Sequence, residues 1–259
     1  MLELYYFPTA TCGLKARLAA EEKGIGYISR VLDRDAGALN TPAYRALNPQ
    51  GVVPTLVHDG RVLVESSIIM RYLDDAFSGP GLMPDAPGDR ADANLWMKRA
   101  DESYLPALGA LTYAIFVRHK VLEKSPEELQ AYYDAIPDPE RRARRISVVE
   151  RGLDAPEVVP AAKTLAGMVA AIDAAVRRND WLAGSRWSLA DAAITPFVER
   201  LHQLGGLWLA ERPAVGRWWA RVTARASYRA TAEAQRDQPR EAAMRERGRA
   251  ALSGLSGIA

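Results

Sequence analysis

Asn48-Pro49-Gln50-Gly51-Val52-Val53-Pro54-Thr55-Leu56, followed beyond a turn by Val64-Glu65-Ser66-Ser67-Ile68-Ile69, is the stretch on which the fold turns. A proline cannot donate to a sheet ladder, so Pro54 belongs at the first residue of a strand, where a cis peptide turns the Val53 backbone toward an open groove. An extended peptide can pair along such an edge. Asp59-Gly60 supplies the positive φ values of a tight turn, so Val52 to His58 and Arg61 to Val64 read as a hairpin. Helical spacing then runs from Glu65 to Phe77. Glu65-Ser66 therefore sits where a strand ends and a helix begins, which puts N–H groups and a hydroxyl at a positive helix terminus suited to a carboxylate. The Glu65 carboxylate is suited to an ammonium.

Upstream, residues 2 to 7 are rich in β-formers, Pro8-Thr9-Ala10-Thr11-Cys12-Gly13 breaks the pattern, and Leu14 to Lys23 resumes with helical spacing. Gly24-Ile25-Gly26 stops that helix, and Tyr27 to Leu32 reads as a second strand, parallel to the first through a right-handed crossover. The order βαβ, short helix, ββα is that of a thioredoxin-like α/β domain, expected over residues 1–78. Gly and Pro punctuate the linker from Ser78 to Gly88. From residue 89 to 259 strand signals nearly vanish, and an all-α domain is expected, with helical patterns over Ala91 to Val121, Ala161 to Arg177, Leu189 to Leu204 and Val215 to Ala232. A polar, proline-bearing insertion over residues 124–160 predicts short or broken helices.

Composition narrows the function. The 259 residues are 48% hydrophobic, and 34 basic against 32 acidic residues leave a net charge of +2, too small a field to hold nucleic acid by bulk charge. Cys12 is the sole cysteine, which excludes an internal disulfide and multi-thiolate zinc sites, and the dispersed His58, His119 and His202 make no helical metal-ligand pair. No metal is expected. Met1-Leu2-Glu3-Leu4 carries an acid where a secretory signal is basic, and no apolar run approaches a bilayer span, so a cytoplasmic protein without a membrane partner is expected.

The pairing of Val53-Pro54 with Glu65-Ser66 resembles the glutathione site of soluble glutathione transferases. In that family the residue before the cis-proline binds the cysteinyl backbone and the acid-serine pair holds the γ-glutamyl end, so the resemblance implies glutathione as co-substrate. Bland roles exist for each: Pro54 opening a strand, Ser66 capping a helix. Trp187-Ser188-Leu189-Ala190-Asp191 is similar to the capping motif that opens a core helix in the family's C-terminal domain. Ser188 with Asp191 reads as a capping box serving folding rather than catalysis.

Thr11-Cys12-Gly13-Leu14-Lys15 resembles bacterial members that use a cysteine here, beta-class transferases and tetrachlorohydroquinone reductive dehalogenases among them. A thiol at a helix N-terminus has its thiolate favoured by the dipole. Cys12 as a buried packing thiol is the alternative, with Thr11, or another of the nearby hydroxyls of Tyr5, Tyr6 and Thr9, then activating the glutathione sulfur. Gly13 departs from the serine that commonly follows the cysteine. Ala135-Ile136-Pro137-Asp138-Pro139-Glu140, with the basic run after it, resembles bacterial β-etherases, which cleave lignin-type aryl ethers with glutathione. Arg141, Arg142, Arg144, Arg145 and Arg151 read as a solvated helix face, with an anion patch as the alternative.

The resemblance implies conjugation of glutathione to a hydrophobic, aromatic electrophile, with Tyr104, Tyr113, Phe116, Trp208, Trp218 and Trp219 available to line its pocket. It further implies a homodimer, with Asp101 similar to the acid that reaches across the interface to the γ-glutamyl ammonium. Thiol transfer, reductive dehalogenation and β-ether cleavage stand as alternatives, as does a non-catalytic binding protein that kept the fold.

Overall fold

The computed structural model describes residues 1–206 and 208–255, so the last four residues of the expected helical domain lie outside the described residues, as does Leu207. The chain opens as β1 (Leu2–Tyr6), α1 (Thr11–Glu22), β2 (Ile28–Val31), α2 (Pro42–Leu47), β3 (Thr55–His58), β4 (Arg61–Leu63) and α3 (Ser66–Ala76). The strands form one sheet in the order β2-β1-β3-β4, with β1 parallel to β2 and antiparallel to β3. This is the thioredoxin-like order read from the sequence. Leu2, Leu4 and Tyr6 alternate into the core, where Leu14, Leu18, Ile69, Met70 and Leu73 of α1 and α3 meet them. Each such burial is worth roughly 1.5–3 kcal/mol.

The turn at Asp59-Gly60 has the positive φ angles its sequence predicts, 47° and 82°. Pro54 itself stands just before β3 rather than inside it, because the ladder begins at the Thr55–Tyr5 pair. The linker after α3 is pinned through Asp74, which accepts from Leu82 N at 2.8 Å and Met83 N at 3.0 Å and pairs with buried Lys23 at 3.1 Å.

The remainder is helical. A run of α4 (Pro87–Arg99), a π-helical turn (Ala100–Tyr104), α5 (Leu105–Thr112), a second π turn (Tyr113–Val117) and α6 (Arg118–Val121) replaces the uniform helix expected over 91–121. The insertion holds α7 (Pro126–Asp134) and α8 (Pro139–Arg151), each with proline in its first turn. Ser125 caps α7 in a capping box with Glu128, and Asp138 caps α8. Then follow α9 (Val158–Arg178), α10 (Leu189–Gln203), α11 (Pro213–Thr223), α12 (Ala226–Tyr228) and α13 (Gln238–Leu255).

The pattern read as one helix over 215–232 is broken at Arg225. Its backbone turns extended, and its guanidinium reaches Glu22 of α1 with Nε and Nη2 each at 2.5 Å. Helix α9 is long and apolar enough to cross a membrane, and half of its apolar window is buried within the protein. Lys163 and Asp173 interrupt the run in sequence, which hid its length.

By Cα proximity the chain divides into two compact units, one of residues 1–100, 174–196 and 214–236, the other of residues 101–173, 197–213 and 237 onward.

Candidate functional site

The first unit holds most of the residues singled out from sequence. Helix α1 starts at Thr11 with Ala10 as N-cap, and it has neither a side-chain cap nor an acid in its first turn. Its positive end is thus not neutralised within the element. Thr11 and Cys12, at the first and second helical positions, are half-buried. Gly13 follows because a Cβ there would lie 3.2 Å from Tyr6 Cβ and 3.4 Å from Ala10 Cβ. The bare backbone lets the turn into α1 sit tight on β1, which accounts for the departure from serine.

Ala10 packs in one apolar cluster with Val53 and Tyr44, flanked by Tyr5, Phe7, Leu32, Leu39 and Leu47. That cluster is what brings the start of α1 to the Val53 edge. The Val53–Pro54 peptide is cis, as its sequence predicts. Two buried side chains brace the approach to it: Tyr44 donates to Val52 O at 2.6 Å, and Asn48 Nδ2 donates to the same oxygen at 2.9 Å and to Thr55 Oγ1 at 3.1 Å. Asn48 Oδ1 accepts from Gln50 N at 3.2 Å. Val53 is 8% exposed, yet its own N–H and C=O make no hydrogen bond among the described residues. Buried main-chain groups are almost always paired, so this edge is matched in chemistry to an extended peptide.

Glu65 and Ser66 stand at the junction of β4 and α3, as expected. Glu65 is the N-cap with φ 67°, ψ 112°, a positive-φ conformation that L residues rarely adopt, and its side chain makes no cap bond. Its exposed carboxylate has no hydrogen bond or ion pair among the described residues. Ser66, 5% exposed, accepts a hydrogen bond from Lys15 Nζ at 3.1 Å, and Ser67 accepts from the same ammonium at 3.4 Å. Lys15 is fully buried one turn into α1. A positive helix terminus and an ammonium therefore meet at the Ser66 hydroxyl, an arrangement that favours a carboxylate. Lys15 and Asn48 lie in the stretches quoted from the sequence but were given no role there, and Tyr44 was not named. A lysine among Leu14, Ala16 and Leu18 on a buried face was the available signal for the first.

Asp101 is half-buried in the π turn Ala100–Tyr104, in the second unit. The aromatic side chains proposed as a pocket divide. Trp218 is fully buried and donates to Asp191 at 2.9 Å, so it serves the core. Trp219 packs on Trp218 and Tyr228, and Tyr104 packs edge-on against Phe197.

Asp191 has the folding role read for it. It accepts from Ser188 N at 3.0 Å, Ser188 Oγ at 3.2 Å and Leu182 N at 3.1 Å, while Ser188 Oγ accepts from Ala190 N at 3.2 Å. Burial pushes its carboxyl up to about 6 against the pull of those donors. Of the basic run, Arg144 pairs with Glu140 at 3.5 Å and Arg142 with Asp134 at 3.8 Å. Among the described residues no cluster of His, Cys, Asp or Glu is arranged to hold a metal.

Comparisons with known proteins identify the family. The chain is 28% identical over 237 residues to Protein LigF of Sphingobium sp. strain SYK-6, covering 86% of this chain and 90% of that one. It is 30% identical to the tetrachloro-p-hydroquinone reductive dehalogenase of Sphingobium chlorophenolicum, covering 88% and 94%. The crystal structure of β-etherase LigF from the first organism superposes with a TM-score of 0.82 at 26% identity, over 90% of this chain and 99% of that one. The glutathione S-transferase N-terminal domain model matches residues 11–76 and the C-terminal domain model residues 139–226. Matched across sheet and helices alike, this chain belongs to the glutathione S-transferase family.

Proposed function

We propose that this chain is an enzyme that binds glutathione along the Val53 edge and directs its thiolate at a hydrophobic, aromatic electrophile. The observation that carries this reading is that the first turns of α1 meet both candidate binding segments: Ala10 packs with Val53, and Lys15 bonds to Ser66. Val53 takes the cysteinyl main chain, Pro54 keeps that edge open, Ser66 takes the γ-glutamyl carboxylate and Glu65 its ammonium. The uncapped end of α1 favours the sulfur as thiolate, with Cys12 or Thr11 beside it. In the transfer the sulfur attacks carbon, a C–S bond forms, and the leaving group departs with the electron pair of the bond it breaks.

The domains divide accordingly, residues 1–78 binding glutathione and residues 89–259 binding the acceptor. A homodimer places Asp101 of one subunit toward the ammonium of glutathione on the other. Turnover of 1-chloro-2,4-dinitrobenzene with glutathione, followed as chloride release, tests the reading. No turnover of this halide or of an aryl ether, with no glutathione binding, sinks it.

A second reading is β-ether cleavage, in which the departing group is an aryloxide. The TM-score of 0.82 to β-etherase LigF favours it. Release of a phenol from a β-aryl ether at a rate above that of chloride release selects this acceptor class.

A further inference from the structure

Arg145, on α8, stands apart from its basic neighbours. Arg142 and Arg144 each have a carboxylate partner, whereas Arg145 has none among the described residues. Its guanidinium lies 3.3 Å from the centroid of the Tyr113 ring, on the second π turn, and donates through Nη1 to Tyr132 Oη of α7 at 2.7 Å. Tyr132 in turn donates to Tyr113 Oη at 3.3 Å. No other hydrogen bond of Arg145 is found among the described residues.

Half-burying a guanidinium without a counter-ion is unfavourable, and a ring face offsets only part of that cost. The side chain is nevertheless fixed in place, with most of a planar fork of donors unspent. Tyr133 adds a second sign of an absent partner: it is 5% exposed, and its buried hydroxyl has no hydrogen-bond partner. That hydroxyl senses the charges of Arg145 and of Glu150, and burial chiefly raises its pKa. Tyr132 is pushed up to about 12, mainly by burial, so it remains a neutral phenol at working pH. The Glu150 carboxylate is exposed and makes no ion pair with Arg145. A fixed, unneutralised fork among phenol rings is matched to a planar anion carried on an apolar or aromatic body.

We infer that Arg145, held by Tyr113 and Tyr132, is the binding element for the carboxylate of an aromatic ligand. The fork takes the carboxylate through paired N–H donors, and the neighbouring rings take the aromatic body. Identifying that ligand as the acceptor rests on the proposed function; the binding of an aryl carboxylate does not.

Calorimetric titration of the full chain with 3-phenylpropionate and with 3-phenylpropanamide, near-isosteres differing in charge, tests this. The expected result is a preference for the carboxylate of roughly tenfold or more, the size of a charge-assisted pair. Arg145→Gln removes the preference, Arg145→Lys restores part of it, and Tyr132→Phe lowers it by several-fold while leaving the guanidinium charge in place. Glutathione binding, titrated separately, is unchanged in all of these variants. Equal affinity of the wild-type chain for the two compounds, binding of neither, or an undiminished preference in folded Arg145→Gln overturns the inference. Failure of the wild-type chain to bind glutathione, with the carboxylate preference intact, strikes the proposed function instead.

Discussion

Lys15, buried in α1, donates to the hydroxyl of Ser66 at the start of α3 across 3.1 Å. That bond ties the helix that carries Cys12 to the helix whose first turn the proposed function assigns to the γ-glutamyl carboxylate, so substitutions on either side are felt in both. Lys15→Met keeps the apolar stem and removes the charge. It is expected to weaken glutathione binding by about 1–3 kcal/mol, the range for a charge-assisted hydrogen bond. Titration of the variant checks this, and unchanged affinity dissociates Lys15 from the site.

Glu65 holds a positive φ without a cap bond to justify it. Strain of this kind costs on the order of 1–3 kcal/mol and is concentrated at functional positions. Glu65→Gly is therefore expected to unfold in urea with about 1 kcal/mol more stability than Glu65→Ala. Both variants are expected to lose affinity for glutathione. Equal stability of the two would show that the backbone there is unstrained.

Tyr44 and Asn48 share the Val52 carbonyl and Thr55. Tyr44→Phe leaves Asn48 to hold the loop alone, so a loss of about 1–2 kcal/mol in stability is expected, with weaker glutathione binding because the Val53 edge is less fixed. Chemical denaturation and titration together test it; loss of stability with full affinity would separate the brace from the site.

The pH dependence of stability carries a signature of Asp191. Its folded pKa, about 6, lies above the ordinary value of 3.8 because the carboxyl is buried. The native state therefore binds more protons than the unfolded state between about pH 4 and 6. The contribution of this group is most favourable below that window and falls as pH rises through it, by about 3 kcal/mol at most. Asp191→Asn does not titrate, and its amide meets the donors that the carboxylate accepted. The variant is expected to be less stable at pH 4.5, with the gap to wild type narrowing toward pH 7. A gap independent of pH would place the carboxyl at its ordinary value.

Much of the sheet unit was legible because its signals are local. The cis-proline, the Asp59-Gly60 turn, the cap at Ser188 and the boundary at Glu65 each depend on residues within a few positions of one another. What escaped the sequence depends on distant partners. Arg225 breaks a helical pattern to reach Glu22, and Lys15 is buried because Ser66 and Ser67 lie opposite it. Helix α13 was missed because the large apolar side chains buried among its described residues, such as Met244 and Leu255, are too sparse among Arg and Glu to show a period. The π turns at Ala100 and Tyr113 leave no mark in the hydrophobic pattern.

Cys12 divides two mechanisms. If its sulfur takes part, its thiolate attacks oxidised glutathione, one new S–S bond forms, and one glutathione thiolate leaves. Mass spectrometry after such treatment is expected to show one glutathionyl adduct, absent in Cys12→Ser. That variant is expected to keep glutathione binding and lose thiol exchange. An inert thiol with full conjugating activity in the variant would pass the activating role to Thr11 or another nearby hydroxyl.

The proposed function puts glutathione along the Val53 edge with its γ-glutamyl end at Glu65 and Ser66. Calorimetric titration of glutathione into wild type, Glu65→Ala and Ser66→Ala tests it most directly. Saturable binding by wild type, weakened in each variant by about 1–3 kcal/mol with little change in melting temperature, is the predicted result. Equal affinity in all three proteins, or no binding by the wild type, would contradict it.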